Sequence, residues 1–165
     1  EFPGSFWQPL LDTVRSSEPA RLLSRDGIEV RIQLLSTSHH RELAAWPTER
    51  TTVSLRYSDV NDVMLRVPTL TAFVAMKTAA WMDRAAARDL YDLAALGRLD
   101  ALNQEAASLV HRVTGWKVRP YVFRSLPKFD WHAQLGHQTR DLPPAADCLT
   151  QVRDSYAHAL AWDHD

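Results

Sequence analysis

One cysteine, Cys148, is all that the 165 residues contain. That excludes an intrachain disulfide framework and fits a reducing compartment. No apolar run approaches the roughly 20 residues that a bilayer crossing takes, and no secretory leader is visible. The expectation is a cytoplasmic protein with no membrane partner. Charge of one sign is missing too. The 19 Lys and Arg face 20 Asp and Glu, a formal net charge of −1. This gives no global attraction to nucleic acid or anionic lipid and leaves room only for a local basic patch. No Gly-x-Ser-x-Gly turn occurs, so nothing supports a Ser/His/Asp hydrolase. His39-His40 sit in a predicted loop, and His132 and His137 are too far apart to share a helix face. No Cys or carboxylate spacing completes a zinc site around them. Internal repeats and low-complexity segments are absent. The opening Glu1-Phe2-Pro3-Gly4-Ser5 lacks an initiator methionine and reads like a junction, so the chain is expected to be a piece of a longer protein.

What is present is a mixture of apolar and charged residues, 45 % hydrophobic, which supports a core and does not fit disorder. The length suits one domain, or a small domain with an appendage. Phe6 to Ser17 carries Phe6, Leu10, Leu11 and Val14 at helical spacing, with Pro9 in the first turn, and predicts a short helix. Arg21 to Ser24, Arg25-Asp26-Gly27 and Ile28 to Leu35 predict a β-hairpin, because Asp-Gly is a turn signal and Ile28, Val30, Ile32 and Leu34 alternate. After a polar connection from His39 to Glu49, alternation returns over Thr51 to Tyr57 and Val63 to Val67, with Ser58 to Asp62 as the turn. At Val67-Pro68-Thr69 the period changes from two to about 3.6. Thr69 is a helix cap by type, and Leu70, Phe73, Val74, Met76 and Trp81 predict an apolar helix. Further helices are predicted over Arg88 to Leu99, Leu102 to Val113, Trp131 to Arg140, and from Pro143-Pro144 to about Trp162. Trp116 to Pro127 reads as irregular. The fold class is α+β: a small, mostly antiparallel sheet followed by a helical bundle.

The densest cluster of chemistry lies in this change of period. Lys77 interrupts an apolar helix, and Arg88-Asp89-x-x-Asp92 follows about one helix later. Cations suit phosphate oxygens, and carboxylates suit a metal or an attacking hydroxyl. Each residue has a second reading. Lys77 can be a lysine snorkelling from the edge of a core helix. Asp89 can be an acidic residue favoured by a helix N-terminus, whereas Asp92, deeper in the helix, fits that reading less well. Lys77, Trp81, Arg84 and Arg88 would form one stripe on a continuous helix, which Ala85-Ala86-Ala87 favours. Such a stripe could hold nucleic acid; otherwise Trp81 is core. Cys148 reads as an inert buried thiol.

The segment from Arg66 to Leu96 resembles the AbiEii/AbiGii-type nucleotidyltransferase toxins. In that family a sheet strand leads into a lysine-bearing helix, a short spacer ending in Arg, and an Asp-x-x-Asp helix. The residues that carry the resemblance are Val67-Pro68-Thr69-Leu70, Lys77-Thr78-Ala79-Ala80-Trp81, Arg84 and Arg88-Asp89-Leu90-Tyr91-Asp92-Leu93. Gly27 to Leu35 looks like the family's central strand. Val113-Thr114-Gly115 and Gly136-His137-Gln138-Thr139-Arg140 look similar to the helical tail of some members.

The resemblance implies that residues 1–67 are a partial nucleotidyltransferase sheet region and 68–165 a helical domain carrying the Lys and Asp-x-x-Asp motifs. It implies a nucleoside triphosphate substrate, Mg2+, tRNA as the leading acceptor and a cognate antitoxin. Lys77, Asp89 and Asp92 take the catalytic roles, with the lysine on triphosphate and the aspartates organising lysine and acceptor. Arg84 and Arg88 would hold phosphate. Two departures stand against this. The family opens with a Gly-Ser or Gly-Gly turn and an Asp-x-Asp strand that holds metal, whereas Gly4-Ser5 is followed here by Phe6-Trp7-Gln8-Pro9. A third family carboxylate is replaced by Gln33, whose amide is a poor metal ligand beside a carboxylate, and Glu29 is a weak substitute. The parent is therefore expected to be the enzyme and this chain alone to be inactive. The alternative is a non-catalytic RNA- or antitoxin-binding module.

Overall fold

A computed structural model describes residues 7–9, 20–24, 27–32, 44–54 and 61–161. The chain divides into two compact units, Glu1–Ala44 and Ala45–Asp165. In the first, strands β1 (Trp7–Pro9), β2 (Ala20–Ser24) and β3 (Glu29–Ile32) form an antiparallel sheet in the order β1-β2-β3. The β2–β3 hairpin is the one the Asp-Gly signal predicts, and Gly27 adopts φ 77°, a region open to glycine without steric cost. The helix predicted from Phe6 is corrected at Trp7–Pro9, which pair with Leu22–Ser24. A helix of about 12 residues is marginal on its own periodicity, and the free edge of β2 offers backbone hydrogen bonds instead. Pro9 is tolerated because β1 is an edge strand. The remainder of that predicted helix, Gln33, His39 and His40 lie outside the described residues.

The second unit begins with a two-stranded antiparallel hairpin, β4 (Thr48–Val53) and β5 (Val63–Pro68), in the register Thr48↔Pro68 to Val53↔Val63. The first strand starts three residues before the predicted Thr51. Within this unit the apolar residues of β5 stay largely open, with Val63, Met64 and Leu65 all exposed. The Thr69 N–H donates to the Pro47 carbonyl at 3.1 Å, which fixes the chain as it leaves the hairpin. The Thr69 side chain then accepts from the Ala72 N–H at 3.2 Å, the N-cap that its type predicts.

Five α-helices follow: α1 (Leu70–Arg84), α2 (Ala87–Gly97), α3 (Gln104–Thr114), α4 (Trp131–Leu135) and α5 (Ala145–Leu160), with a 3-10 turn over Pro120–Phe123. This is the α+β arrangement expected, mostly helical, with its strands in two sheets. The core is the apolar sides of α1, α2, α3 and α5: Val74 and Trp81, Leu90 and Leu93, Leu109 and Val110, Val152 and Tyr156 are all buried. Each such side chain contributes about 1.5–3 kcal/mol by burial. Trp81, Phe123 and Tyr156 stack in series, with ring centroids 6.0 and 5.6 Å apart, so the tryptophan of the presumed surface stripe is core. The Thr78 hydroxyl donates to the Val74 carbonyl at 2.9 Å and lies 2.6 Å from the Tyr156 hydroxyl. Its single hydrogen being used, the tyrosine is the donor in that pair. Gly97 ends α2 against α5, where an added Cβ would meet the Ser155 hydroxyl at 3.1 Å.

One helix boundary differs from expectation. The predicted helix from Trp131 to Arg140 stops at Leu135. Leu135 is its last buried residue, and Gly136, His137 and Gln138 are all exposed, so a further turn would bury nothing while costing glycine entropy. The alanine run does not carry α1 into α2, and the second helix starts within a residue of the predicted Arg88. Ala85 enters the left-handed region at φ 47°, its N–H bonding the Trp81 carbonyl, and α2 restarts at Ala87.

Candidate functional site

The break at Ala85 creates a tight corner. Arg84 is the last residue of α1, and Asp89 lies in the first turn of α2. The corner turns the arginine back over the start of the next helix. Arg84 Nε donates to Asp89 Oδ2 at 2.8 Å, and its Nη2 donates to Oδ1 at 3.0 Å. This two-pronged pairing matches the planar fork of the guanidinium to the carboxylate. It pushes the Arg84 guanidinium above its ordinary pKa, the hydrogen bonding to Asp89 being the largest cause. Both helix ends favour the signs they hold: a cation on the last turn of α1 and an anion on the first turn of α2.

Lys77 approaches the same carboxylate from the body of α1. Its Nζ is 2.5 Å from Asp92 Oδ2 and 3.7 Å from Asp89 Oδ1. It also stands over the Phe73 ring, 5.6 Å from the centroid and one turn earlier on the helix. The side chains divide by exposure. Asp89 is 0 % exposed, Lys77 22 %, Asp92 35 % and Arg84 46 %. Asp89 is therefore the buried anchor of the cluster, and Lys77, Asp92 and Arg84 are its reachable rim. Two cations balance two carboxylates, so the charge of Asp89 is compensated where it is desolvated.

Of the five residues that sequence reasoning selected, the fold brings four together: Lys77, Arg84, Asp89 and Asp92. Arg88 is exposed on α2 and takes no part in these contacts. The break at Ala85 separates its helix from that of Lys77 and Trp81, so the four-residue stripe does not form. The direct Arg84–Asp89 pair was missed by sequence reasoning, which gave Arg84 to phosphate. The spacer of the resemblance pointed to a break between the helices, but nothing in the residues showed that Arg84 would turn onto Asp89.

Asp89 and Asp92 accept from, or pair with, Lys77 and Arg84, and among the described residues no three His, Cys, Asp or Glu side chains gather as a metal site. The described residues thus do not supply the carboxylate set that Mg2+ would take. His132 and His137 are both exposed. No helix among the described residues is long and apolar enough to cross a membrane.

Over residues 14–161 the sequence matches the model of a family described as the nucleotidyl transferase AbiEii toxin of a type IV toxin–antitoxin system. Comparisons with curated proteins and with solved structures give no match. The chain belongs to the AbiEii nucleotidyltransferase toxin family. That membership implies a nucleotide substrate and an antitoxin counterpart.

Proposed function

We propose that this member of the AbiEii family acts in nucleotide transfer from a nucleoside triphosphate to an RNA acceptor, with tRNA the leading candidate. The observation that carries this reading is Lys77 held on the rim of a buried carboxylate, 2.5 Å from Asp92 and 3.7 Å from Asp89. A lysine fixed in this way and still 22 % exposed can place a point charge on a triphosphate. Asp89 is wholly buried and already paired with Arg84, which suits positioning of the two cations. Asp92 is partly open and suits contact with an acceptor hydroxyl. Arg84, and Arg88 on the outer side of α2, suit contact with phosphate.

In the transfer, an acceptor hydroxyl oxygen attacks the α-phosphorus, its proton passes to the Asp92 carboxylate and on to water, the bond to the β-phosphate breaks and pyrophosphate leaves. The four-residue cluster has no surplus positive charge, so Mg2+ would supply the neutralisation of the triphosphate. Its ligands would come from residues other than those described. The lack of a metal-ligand group among the described residues supports a second reading, in which this chain is a non-catalytic RNA- or antitoxin-binding module.

The test is incubation of the full-length protein and of its Lys77→Ala variant with each α-labelled nucleoside triphosphate, Mg2+ and total tRNA. The expected result is labelled RNA with the native full-length protein, none with the variant, and an unchanged circular dichroism spectrum. A folded Lys77→Ala variant that labels RNA as fast as the native protein removes the lysine from the reaction. Folded native protein that labels no RNA with any nucleotide favours the module.

A further inference from the structure

Between Ala106 and Phe129 the chain carries Arg112, Lys117, Arg119, Arg124 and Lys128 and no carboxylate. All 20 Asp and Glu of a chain with net charge −1 lie elsewhere. The fold turns this bias in sequence into a bias in space. An open groove of about 870 Å3 runs between α3, the Lys117–Tyr121 segment and the end of α5. Arg112, Lys117, Arg119, His111 and Tyr121 line it, and among the described residues no Asp or Glu does. The three cations are exposed. The Tyr121 ring is 62 % exposed, and Trp116, next to Lys117, is 42 % exposed. None of these residues belongs to the Lys77 cluster.

We propose that this groove binds a single-stranded segment of RNA, its backbone phosphates on Arg112, Lys117 and Arg119 and its bases against Tyr121. A cationic wall beside open aromatic rings is the pattern that holds unpaired strands by phosphate contact and base stacking. The choice of RNA among polyanions rests on the acceptor proposed above, and one local feature favours it independently. His111 Nδ1 lies 3.1 Å from the Gly115 carbonyl. A carbonyl only accepts, so Nδ1 carries the hydrogen, and in the neutral ring Nε2 is left as an acceptor. A ribose 2′-hydroxyl can donate to such a nitrogen, and deoxyribose has none. Gly115, at φ 78°, ends α3 and turns the chain back toward this wall.

The experiment is fluorescence anisotropy of labelled oligouridylate with the native protein, Arg98→Ala, Tyr121→Ala and the triple variant Arg112→Ala/Lys117→Ala/Arg119→Ala. Oligothymidylate and polyglutamate serve as competitors. Three phosphate contacts on a single strand predict a slope of about −2 for log affinity against log salt concentration. The triple variant should bring that slope close to zero. Tyr121→Ala should weaken binding about tenfold, and Arg98→Ala, an exposed cation outside the groove, should leave it unchanged. Native-like affinity in a folded triple variant would overturn the groove. Equal competition by oligothymidylate would overturn the assignment to RNA, and equal competition by polyglutamate would overturn it in favour of an acidic protein. Groove-dependent RNA binding by a protein that transfers no nucleotide would sink the transferase reading and uphold this one.

Discussion

Replacing Asp89 by Asn tests the corner on which the candidate site is built. Asp89 is 0 % exposed and accepts from Arg84 at 2.8 and 3.0 Å, with Lys77 at 3.7 Å. Asparagine keeps the volume and one oxygen. Its second group becomes a donor facing cations that only donate. Breaking a buried pair by removing one partner costs about 3–5 kcal/mol, because the remaining charge is left without compensation. Here the remaining charges are not sealed in. Arg84 is 46 % exposed and Lys77 is 22 % exposed, so both regain water, and the expected loss falls to about 2–3 kcal/mol. The α2 N-terminus also loses its first-turn carboxylate, on the order of 0.5 kcal/mol within that total. Urea unfolding followed by far-UV circular dichroism measures the change. Arg84→Met and the double variant complete a cycle in which the coupling should be about 1.5–3 kcal/mol, as for hydrogen bonds to charged groups. Loss of less than about 0.5 kcal/mol in Asp89→Asn, within the range of an ordinary surface substitution, would refute the buried anchor. Strict additivity in the cycle would refute the pair itself.

Two further outcomes follow from the core. Burial pushes the Tyr156 hydroxyl up to about 12. The folded state therefore holds this proton more tightly than the unfolded chain. The contribution is fully present below pH 10, the unfolded value, and is lost as pH rises toward about 12. Stability should fall by about 2–3 kcal/mol over that interval. Tyr156→Phe should remove this part of the alkaline loss in urea titrations, and an unchanged alkaline slope would count against the burial of that hydroxyl. Cys148 is 2 % exposed, and burial raises its thiol above the ordinary range. Thiolate is the reactive form, so the native protein should react with a disulfide reagent at least about tenfold more slowly than the urea-unfolded chain. Equal rates would place the thiol at the surface.

What could be read from the residues was mostly local. Asp26-Gly27 predicts a hairpin, and Gly27 takes the positive φ that makes one. Thr69 predicts a cap, and it accepts from Ala72. The apolar periodicity of α1, α2, α3 and α5 predicts helices because the signal repeats over several turns and comes from residues a few positions apart. Weak local signals lost to partners distant in sequence. Phe6 to Pro9 has helical spacing, but residues 7–9 found the edge of β2. His137 to Arg140 followed a glycine with nothing apolar left to bury.

The same division holds at the site. Lys77, Asp89 and Asp92 were legible as a set because charged residues inside apolar helices stand out by type. Which cation each carboxylate would face was not legible. Alanine favours a helix at every position of Ala85-Ala86-Ala87, yet Ala85 stands at φ 47°, and at that break Arg84 reaches Asp89 while Arg88 is exposed on the next helix. The groove follows the same logic. Five cations and no carboxylate are plain in residues 106–129, but only the approach of α3, the Lys117–Tyr121 segment and α5 puts three of them, Arg112, Lys117 and Arg119, along one groove. The sequence by itself determined the helices, the cap, the hairpin turn and the residue types of the site. Tertiary structure decided where α1 breaks and which charges meet, because those choices cost little locally and are settled by packing energies that exist only once the helices have come together.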